Sequence, residues 1–486
     1  LHSTSRRQRQ MCIRDSYYFE QICQIPHGSG NTREISDYLA AFAREHDLDY
    51  VQDEWNNIVI YKPAFPGYEQ AEPVILQGHM DMVCEKAPGV EHDFERDPLE
   101  LEVDGNYVRA KGTTLGGDDG IAVAYALALL EAGDIPHPAL EVLITVDEEI
   151  GLLGADHFDA SVLRGRRLIN LDSEEEGILL TGCAGGMSAV CTIPVKYRNT
   201  SGKVYEVRIS GLLGGHSGTE IDKNRGNAHL LLGRLLYGLK KEMRLDIASL
   251  EGGQKDNVIP RECVCELVIQ PEDKAKFQEL LGNLQEDLRK EYAGTDEGIT
   301  VSWKFLEEVS EVGVLHPVSC EKVIFYLMNI PNGVQKMSGN IPGLVETSLN
   351  LGILSLEDEV LYAVASIRSS VNSAKKAVAE KVEYLTEFLG GDFERQGEYP
   401  AWEYRENSPL RDLMAEAYRK VYGKEPVIQA IHAGLECGLF YEKIPELDCI
   451  SMGPDILDIH TPQERLDIAS TQRVWEYLLK VLASLR

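Results

Sequence analysis

A histidine and an aspartate, His79 and Asp81, follow a short apolar run that begins at Val74. Because side chains two residues apart on an extended chain point to the same side, both can face one site. A neutral imidazole is a good ligand for zinc-like metals, and a nearby carboxylate can orient the ring and hold its tautomer. The pair alone also fits a polar strand end that binds no metal. Its interpretation therefore depends on which other side chains lie at the same place.

Further carboxylates follow two other apolar runs of the chain. Residues 139–146 lead into Asp147, Glu148 and Glu149, and residues 167–171 lead into Asp172. Three adjacent acids after a buried strand repel one another, because each disfavours ionisation of the next. A solvated loop would relieve this repulsion, and a bound cation would relieve it better.

Two more candidate ligands stand outside these strand ends. Asp118 follows a pair of glycines and opens a helix rich in alanine and leucine. Ordinary capping of that helix by an aspartate is the alternative interpretation. His460 follows a late strand at residues 447–452 and supplies a second imidazole, for which an ordinary surface histidine is the alternative.

The order of strands and helices indicates where these side chains meet. Strands that alternate with helices predict an α/β catalytic domain with a mixed, largely parallel sheet flanked by helices. Sites in such sheets lie beyond the carboxyl ends of the strands. We therefore expect the strand-end residues to share one edge, and this convergence is far more specific than any single motif.

The middle of the chain has a different sequence pattern, in which strands of alternating polarity occur together with charged amphipathic helices. Strand–helix–strand order of this kind predicts an inserted α+β domain of ferredoxin-like type, in one or two copies. We assign residues 17–186 and 380–486 to the catalytic domain and residues 187–379 to the insertion. The Arg-rich residues 1–16 are interpreted as a non-native or disordered tail and are excluded from the fold argument.

Composition excludes several classes of partner. The 486 residues carry a formal net charge of −31, which argues against a nucleic acid or an anionic membrane surface as partner. No apolar run approaches the roughly 18 residues that a membrane-spanning helix needs. The ten cysteines form no CxxC pair, so reduced thiols and a cytoplasmic location are expected.

The order of these motifs resembles that of the M20 metallopeptidases, and within them the aminoacyl-histidine dipeptidases, also called cytosol non-specific dipeptidases. The resemblance covers the chain from Tyr17 to Arg486. The stretches that carry it are Gln21–Pro26, His79-x-Asp81, Gly116–Gly120, Glu148–Glu149, Asp172, Gly211–Gly218, Asn257–Arg261, Arg368–Ser370 and His460–Pro462.

The resemblance implies a co-catalytic site with two zinc ions per chain, with manganese or cobalt as possible replacements. In this arrangement Asp118 bridges the ions, His79 and Asp172 complete one of them, and Glu149 and His460 complete the other. It also implies that Asp81 orients His79, that Glu148 is the general base, and that the peptide bond between Asp118 and Asp119 is cis. Related dipeptidases often have Asn at the position of Asp119, so this chain adds an acid near the metals.

The resemblance further implies the substrate and the role of the insertion. The inserted domain is expected to act as a lid and to form a homodimer. His216, Asn257 and Arg368 in the insertion, and Gly434 in the catalytic domain, match substrate-contacting positions of the family. His216 is expected to stabilise the oxyanion, and Arg368 to bind the carboxylate of a dipeptide, either Xaa-His or another unblocked dipeptide.

Two other functions remain open from the sequence. One is an M20-type amidohydrolase that acts on N-acyl amino acids. The length of the insertion and its motifs at Asn257 and Arg368 favour the dipeptidase over this alternative. The other is a catalytically inactive scaffold that carries the same lid. It is disfavoured because every expected ligand and the general base are present.

Overall fold

The computed structural model of the protein describes residues 16–486, so the tail interpretation for residues 1–16 falls, apart from Ser16, outside the described residues. The chain forms two compact units. Of the described residues, the first unit contains 16–183 together with Trp402–Ala430 and Leu435–Arg486. The second unit contains Ala184–Ala401 and Ile431–Gly434.

The helices and strands are as follows, in chain order. Up to Cys183 they are α1 (residues 16–22), α2 (Arg33–Glu45), β1 (Asp49–Gln52), β2 (Ile58–Lys62), β3 (Val74–His79), β4 (Leu101–Asp104), β5 (Tyr107–Ala110), α3 (Gly117–Glu131), β6 (Leu140–Thr145), α4 (Leu153–His157), β7 (Arg167–Asn170) and β8 (Ile178–Cys183). From Ala184 to Ala401 they are β9 (Gly185–Pro194), β10 (Tyr197–Ser210), α5 (Ala228–Glu242), β11 (Asp246–Gly252), β12 (Cys263–Ile269), α6 (Lys274–Glu291), β13 (Thr300–Leu315), α7 (Pro317–Asn329), β14 (Gly333–Met337), β15 (Val345–Glu357), β16 (Val360–Ser369), α8 (Asn372–Phe388) and β17 (Asp392–Tyr399). The last part contains α9 (Pro409–Tyr422), β18 (Val427–Ile431), α10 (Cys437–Lys443), β19 (Asp448–Ser451), β20 (Ile456–Leu457), β21 (Arg465–Asp467) and α11 (Ile468–Ser484).

The first unit is built on a mixed sheet with the strand order β1-β2-β6-β3-β7-β19-β8-β18. Its four central strands, β6, β3, β7 and β19, are parallel, while β1 and β2 pair antiparallel at one side. β3 and β6 are buried along their whole length, which explains their continuous apolar sequences. The predicted α/β fold with a largely parallel sheet is confirmed.

Helix α3 packs closely against β3, and this contact positions the site. The helix is buried almost all round, as its unbroken apolar sequence requires. Gly78 permits the close approach, because a Cβ atom there would lie 2.7 Å from the Cβ of Ala122 and 2.4 Å from Oδ2 of Asp119. A side chain at residue 78 would therefore push the start of α3 away from the sheet.

The second unit contains two ferredoxin-like motifs that share one sheet. β10, α5, β11, β12, α6 and β13 form a βαββαβ unit with the strand order β13-β10-β12-β11. β9, α7, β15, β16, α8 and β17 form a second such unit with the order β15-β16-β9-β17. β14 pairs with β15 outside this path.

The boundary of the second unit differs from the sequence interpretation. The return to the first unit occurs at Trp402 instead of residue 380, because β17 pairs with β9 and belongs to the second sheet. Gly434 also belongs to the second unit rather than to the catalytic one. None of the helices among residues 16–486 combines the length and the apolar character that crossing a membrane requires.

Candidate active site

Three parallel strands bring their carboxyl ends to one edge of the first sheet. His79, the last residue of β3, lies opposite Thr145, the last residue of β6, and Gln77 pairs with Asn170 at the end of β7. The loops that carry Glu148, Glu149 and Asp172 therefore start beside His79. The parallel register is the physical reason why residues far apart in sequence share this edge.

Asp118 stands between two histidines of the first unit, His79 and His460. Its Oδ1 lies 3.2 Å from Nε2 of His79, and its Oδ2 lies 3.2 Å from Nε2 of His460. The peptide bond between Asp118 and Asp119 is cis, as the family resemblance predicted. One carboxylate thus faces two imidazoles with different oxygen atoms, which is the arrangement expected of a bridging ligand.

The remaining predicted ligands complete two groups around Asp118. Oδ1 of Asp172 lies 3.7 Å from Nε2 of His79, and Oε1 of Glu149 lies 3.0 Å from Nε2 of His460. We call His79, Asp118 and Asp172 the first group, and Asp118, Glu149 and His460 the second group. In each group the candidate ligand atoms lie within 4.8 Å of one another.

The donor atoms of these groups fit metal ions. Each group combines one imidazole nitrogen with two carboxylates, a set that suits zinc and related divalent metals. Oε1 of Glu149 is shielded from solvent, and its ion-pair partner in the described part of the chain is Nε2 of His460 at 3.0 Å. A buried carboxylate is costly unless its charge is compensated, and a cation between Asp118, Glu149 and His460 would compensate it.

The raised pKa values of His79 and His460 also favour a site that holds cations. Burial alone would lower the pKa of His79, but hydrogen bonds with Asp118, Asp172 and Asp81 outweigh it and hold the pKa well above its usual value. Hydrogen bonds with Asp118 and Glu149 raise the pKa of His460 to about 11. Without a metal, protons on these imidazoles therefore compensate the carboxylates, and bound metal ions would have to displace them.

Glu148 lies beside the groups and forms a third cluster with His79 and Glu149. Burial raises the pKa of Glu148 well above its usual value, and the charges of Asp172 and Glu149 raise it further. A carboxyl group with a raised pKa holds a proton more readily than a free glutamate does. Glu148 is therefore a candidate for the general base that the sequence predicts.

Asp81 supports both the histidine and the loop that carries the glutamates. Its Oδ1 lies 3.4 Å from Nδ1 of His79 and accepts a hydrogen bond from the backbone N–H of Glu148 at 3.1 Å. Its Oδ2 accepts hydrogen bonds from the hydroxyl of Ser29 at 2.8 Å and from the backbone N–H of Glu149 at 3.4 Å. Asp81 therefore connects the end of β3 to the loop after β6.

Asp119 does not enter any of the three metal-ligand clusters found among residues 16–486. Its Oδ2 accepts the backbone N–H of His79 at 3.1 Å, so it holds the end of β3 against the start of α3. Burial raises the pKa of its carboxyl well above the usual range, and the charge of Asp172 adds to this effect.

Two buried glutamates support the site although the sequence analysis did not single them out. Glu464 is 2% exposed and accepts hydrogen bonds from four consecutive backbone N–H groups that lead into α3. Glu436 is fully buried, and its Oε2 accepts hydrogen bonds from Gln77 at 2.5 Å and Thr145 at 2.6 Å. Asn170 continues this network by donating to Oε1 of Gln77 at 2.6 Å.

The residues predicted to contact substrate lie in the second unit, where they form two pairs. His216 and Asn257 are neighbours, because Ser217 donates its backbone N–H to the carbonyl of Asn257 at 2.8 Å. Arg368 donates from Nη1 to the hydroxyl of Tyr399 at 3.1 Å, and Gly434 lies against the ring of Tyr399. Tyr399 was not predicted.

The charges of these residues connect the two pairs. Burial lowers the pKa of His216, and the guanidinium of Arg368 lowers it further. Burial and Arg368 likewise lower the pKa of His432 to about 4, and Nε2 of His432 forms a 2.8 Å hydrogen bond with the hydroxyl of Ser348. The second unit therefore places the buried guanidinium of Arg368 near two imidazoles, those of His216 and His432, whose pKa values are lowered.

Comparison with known proteins agrees with this geometry. Residues 75–484 match the peptidase family M20/M25/M40. The chain belongs to this family. It is 38% identical over 467 residues to the cytosol non-specific dipeptidase of Escherichia coli K12, a match that covers 96% of either chain.

Solved structures extend the comparison to the M20 fold. The aminoacylhistidine dipeptidase of Vibrio alginolyticus is 37% identical, with a TM-score of 0.90 over 97% of this chain and 96% of that one. The aminopeptidase PepT of Bacillus cereus, at 14% identity and a TM-score of 0.56 over 98% of each chain, shares the fold. The M20 peptidase fold thus extends over both units of the chain.

Proposed function

We propose that this M20 protein is a metallo-dipeptidase that hydrolyses Xaa-His and other dipeptides with free termini. The observation that carries the proposal is Asp118, whose two carboxylate oxygens face His79 and His460 at 3.2 Å each. A carboxylate shared in this way suits a site for two ions rather than one. The names of the Escherichia coli and Vibrio relatives support dipeptides as the substrate class.

The proposed metals are two zinc ions, with manganese or cobalt as alternatives. The first group would hold one ion and the second group the other, with Asp118 common to both. Bound ions would supply Lewis-acid chemistry, which polarises a peptide carbonyl and makes water a better nucleophile at neutral pH. The mixed imidazole and carboxylate donors support zinc but do not exclude its neighbours.

The proton transfers are assigned to Glu148. Its carboxylate takes a proton from the attacking water and passes it to the leaving amine. Glu149, the next residue, binds metal, so the two adjacent glutamates have different roles. Asp81 fixes this division, because it holds the backbone N–H groups of Glu148 and Glu149 as well as the ring of His79.

The second unit is proposed to contribute the residues that select dipeptides. Arg368 is 9% exposed, and its Nε has no hydrogen-bonding partner among residues 16–486. A buried guanidinium with an unused donor is suited to a carboxylate, which it can bind through two parallel hydrogen bonds. We assign Arg368 to the substrate carboxylate, His216 to the oxyanion, and Asn257 and Gly434 to further substrate contacts.

A homodimer formed through the second unit is part of the proposal. β13 is an edge strand of the second sheet and exposes Trp303 and Phe305. Phe325 of α7, with Tyr384 and Phe388 of α8, adds further exposed aromatic side chains. Exposed aromatic surface of this kind supports a protein partner, and sedimentation of the parent protein tests whether that partner is a second copy. The name of the Escherichia coli relative supports a cytoplasmic location.

A substrate panel tests the proposed function. The metal-free protein is assayed with Ala-His, Gly-Gly, a tripeptide series and N-acetyl amino acids, each with and without added zinc, manganese or cobalt. We expect metal-dependent cleavage of the dipeptides and little turnover of the other two classes. Preferred cleavage of N-acetyl amino acids would favour an amidohydrolase, and equal cleavage of tripeptides would contradict the restriction to dipeptides.

A further inference from the structure

Glu464 connects two loops that carry metal-binding residues. It lies four residues after His460, and its carboxylate reaches the loop before Asp118. Oε2 accepts the backbone N–H groups of Leu115 at 2.7 Å and Gly116 at 3.1 Å. Oε1 accepts those of Gly117 at 2.8 Å and Asp118 at 3.4 Å.

The loop that carries His460 needs such an anchor. It connects β20 to β21, and the side chain of His460 is 45% exposed, whereas that of His79 is 1% exposed. Asp458 and His460 have φ angles of 55° and 59°, a conformation that residues other than glycine rarely adopt. Such backbone persists only where the surroundings hold it, and Glu464 is the buried side chain of this loop.

Asp118 has a second anchor inside the first unit. Asp119 accepts the backbone N–H of His79 at 3.1 Å, and α3 packs against β3 at Gly78. The contact between Asp118 and His79 is therefore maintained by the interior of the first unit. The contact between Asp118 and His460 spans residues 458–464, which Glu464 ties directly to the start of α3. The other contacts of this loop, the ion pair of Arg465 with Asp458 and the packing of Ile459 on the core, do not reach the residues around Asp118 through hydrogen bonds.

We propose that Glu464 is a positioning residue that sets the metal affinity of the second group, Asp118, Glu149 and His460, with little effect on the first. This inference rests on the proposed function, because it requires two bound ions. Glu464 does not bind the ion itself. It fixes the separation of His460 from Asp118 through four backbone hydrogen bonds, and residues that orient metal ligands in this way typically change metal affinity about 10–100-fold when they are replaced.

The chain offers a matched control in Glu141. This side chain is 3% exposed and accepts the backbone N–H groups of Arg164 and Gly165 at 2.9–3.0 Å. It lies near the start of β6, at the end of the strand opposite to the metal groups. Glu141→Gln therefore removes a buried carboxylate with the same kind of backbone contacts, but away from the site.

The experiment compares Glu464→Gln, Glu141→Gln and the parent, each loaded with zinc and titrated with a competing chelator. We expect Glu464→Gln to lose one ion at a 10–100-fold lower chelator concentration than the parent and to keep the other near the parental affinity. Glu141→Gln should unfold at a lower temperature but hold both ions as the parent does. If Glu464→Gln does not fold, Glu464→Asp provides the same comparison with the charge kept and the reach shortened.

Loss of both ions together, or retention of both at the parental affinity in the folded Glu464 variant, would overturn the role of Glu464. A parent that binds fewer than two ions would instead contradict the proposed function. The two failures are therefore distinguishable by the behaviour of the parent alone.

Discussion

Asp81 and Glu148 are joined by a hydrogen bond of 3.1 Å from the backbone N–H of Glu148 to Oδ1 of Asp81. The same carboxylate lies 3.4 Å from Nδ1 of His79, whose nearer partner is the backbone carbonyl of Asp81 at 2.9 Å. Asp81 thus contacts both the proposed metal-binding imidazole and the loop of the proposed general base. The hydrogen bond from Glu148 attaches the loop after β6 to Asp81. His79 and Glu148 are therefore held by the same residue.

Asp81→Asn should lower kcat/KM for Ala-His by about 10–100-fold, the usual effect of removing a group that orients a metal ligand. In asparagine one carboxylate oxygen becomes an amide nitrogen that cannot accept, so the variant loses either the hydrogen bond from Glu148 at Oδ1 or those from Ser29 and Glu149 at Oδ2. Ser29→Ala is the matched control, because it removes only the hydroxyl contact and should cost less than tenfold. Equal losses in both variants would show that the backbone contacts of Asp81 do not matter for catalysis.

Asp118→Asn should reduce the binding of both ions, whereas His460→Gln should reduce the binding of one. The reason is that Asp118 belongs to both groups and His460 only to the second. Elemental analysis of zinc-loaded protein after dialysis against dilute chelator measures the stoichiometry. A parent with one ion per chain, or an Asp118 variant that keeps two, would contradict the bridging arrangement.

Glu148→Gln should lower kcat by about 10²–10⁴-fold, the range that general acid–base catalysis contributes, and should keep both ions. Glu149→Gln is the control at the adjacent position, and it should lose metal affinity together with activity. The measurement combines kcat for Ala-His with the zinc content of each variant. Parental turnover by Glu148→Gln would rule out its role as general base.

Arg368→Ala should lower kcat/KM for Ala-His by tens-fold or more, because a charged hydrogen bond to the substrate carboxylate is lost. The parent should prefer Ala-His to the same dipeptide with an amidated carboxyl end, and Arg368→Ala should not distinguish the two. Tyr399→Phe removes the hydroxyl that receives the hydrogen bond from Arg368 and should have a smaller effect. An unchanged preference for the free acid in Arg368→Ala would assign the carboxylate to another group.

Acid should destabilise the protein partly through His229, which is fully buried in α5. Burial lowers the pKa of His229 from its ordinary value of 6.5 to about 4. Between these two pH values the unfolded chain binds a proton that the folded chain does not, so stability falls as the pH is lowered through this window. The shift corresponds to about 3 kcal/mol at most.

His229→Gln should therefore show a smaller loss of unfolding free energy between pH 6.5 and pH 4 than the parent does. Urea-induced unfolding of both proteins across this range measures the difference in slope. An identical pH dependence in the two proteins would mean that His229 does not titrate with the shift described.

The sequence by itself determined which strand ends carry candidate metal ligands. His79, Glu148, Glu149 and Asp172 follow apolar runs, and the parallel register of β3, β6 and β7 places the ends of such runs at one edge. The information is local, since a buried strand and the residue after it are neighbours in the chain. For the same reason the sequence indicated the α/β fold and the insertion.

Only the tertiary structure decided how the ligands are held. Asp118 at the start of α3 suggested local helix capping, but the backbone N–H groups of residues 115–118 are bound by Glu464, more than 340 residues away in the chain. Among 79 acidic residues, nothing in the neighbourhood of Glu464 distinguishes it from a solvated side chain. The chain returns to the first unit at Trp402 because β17 pairs with β9 in the second sheet. No local sequence pattern predicts this pairing. Residues that directly follow a buried strand can be identified from the sequence. Residues that bind the backbone of a distant loop can be identified only in the folded chain.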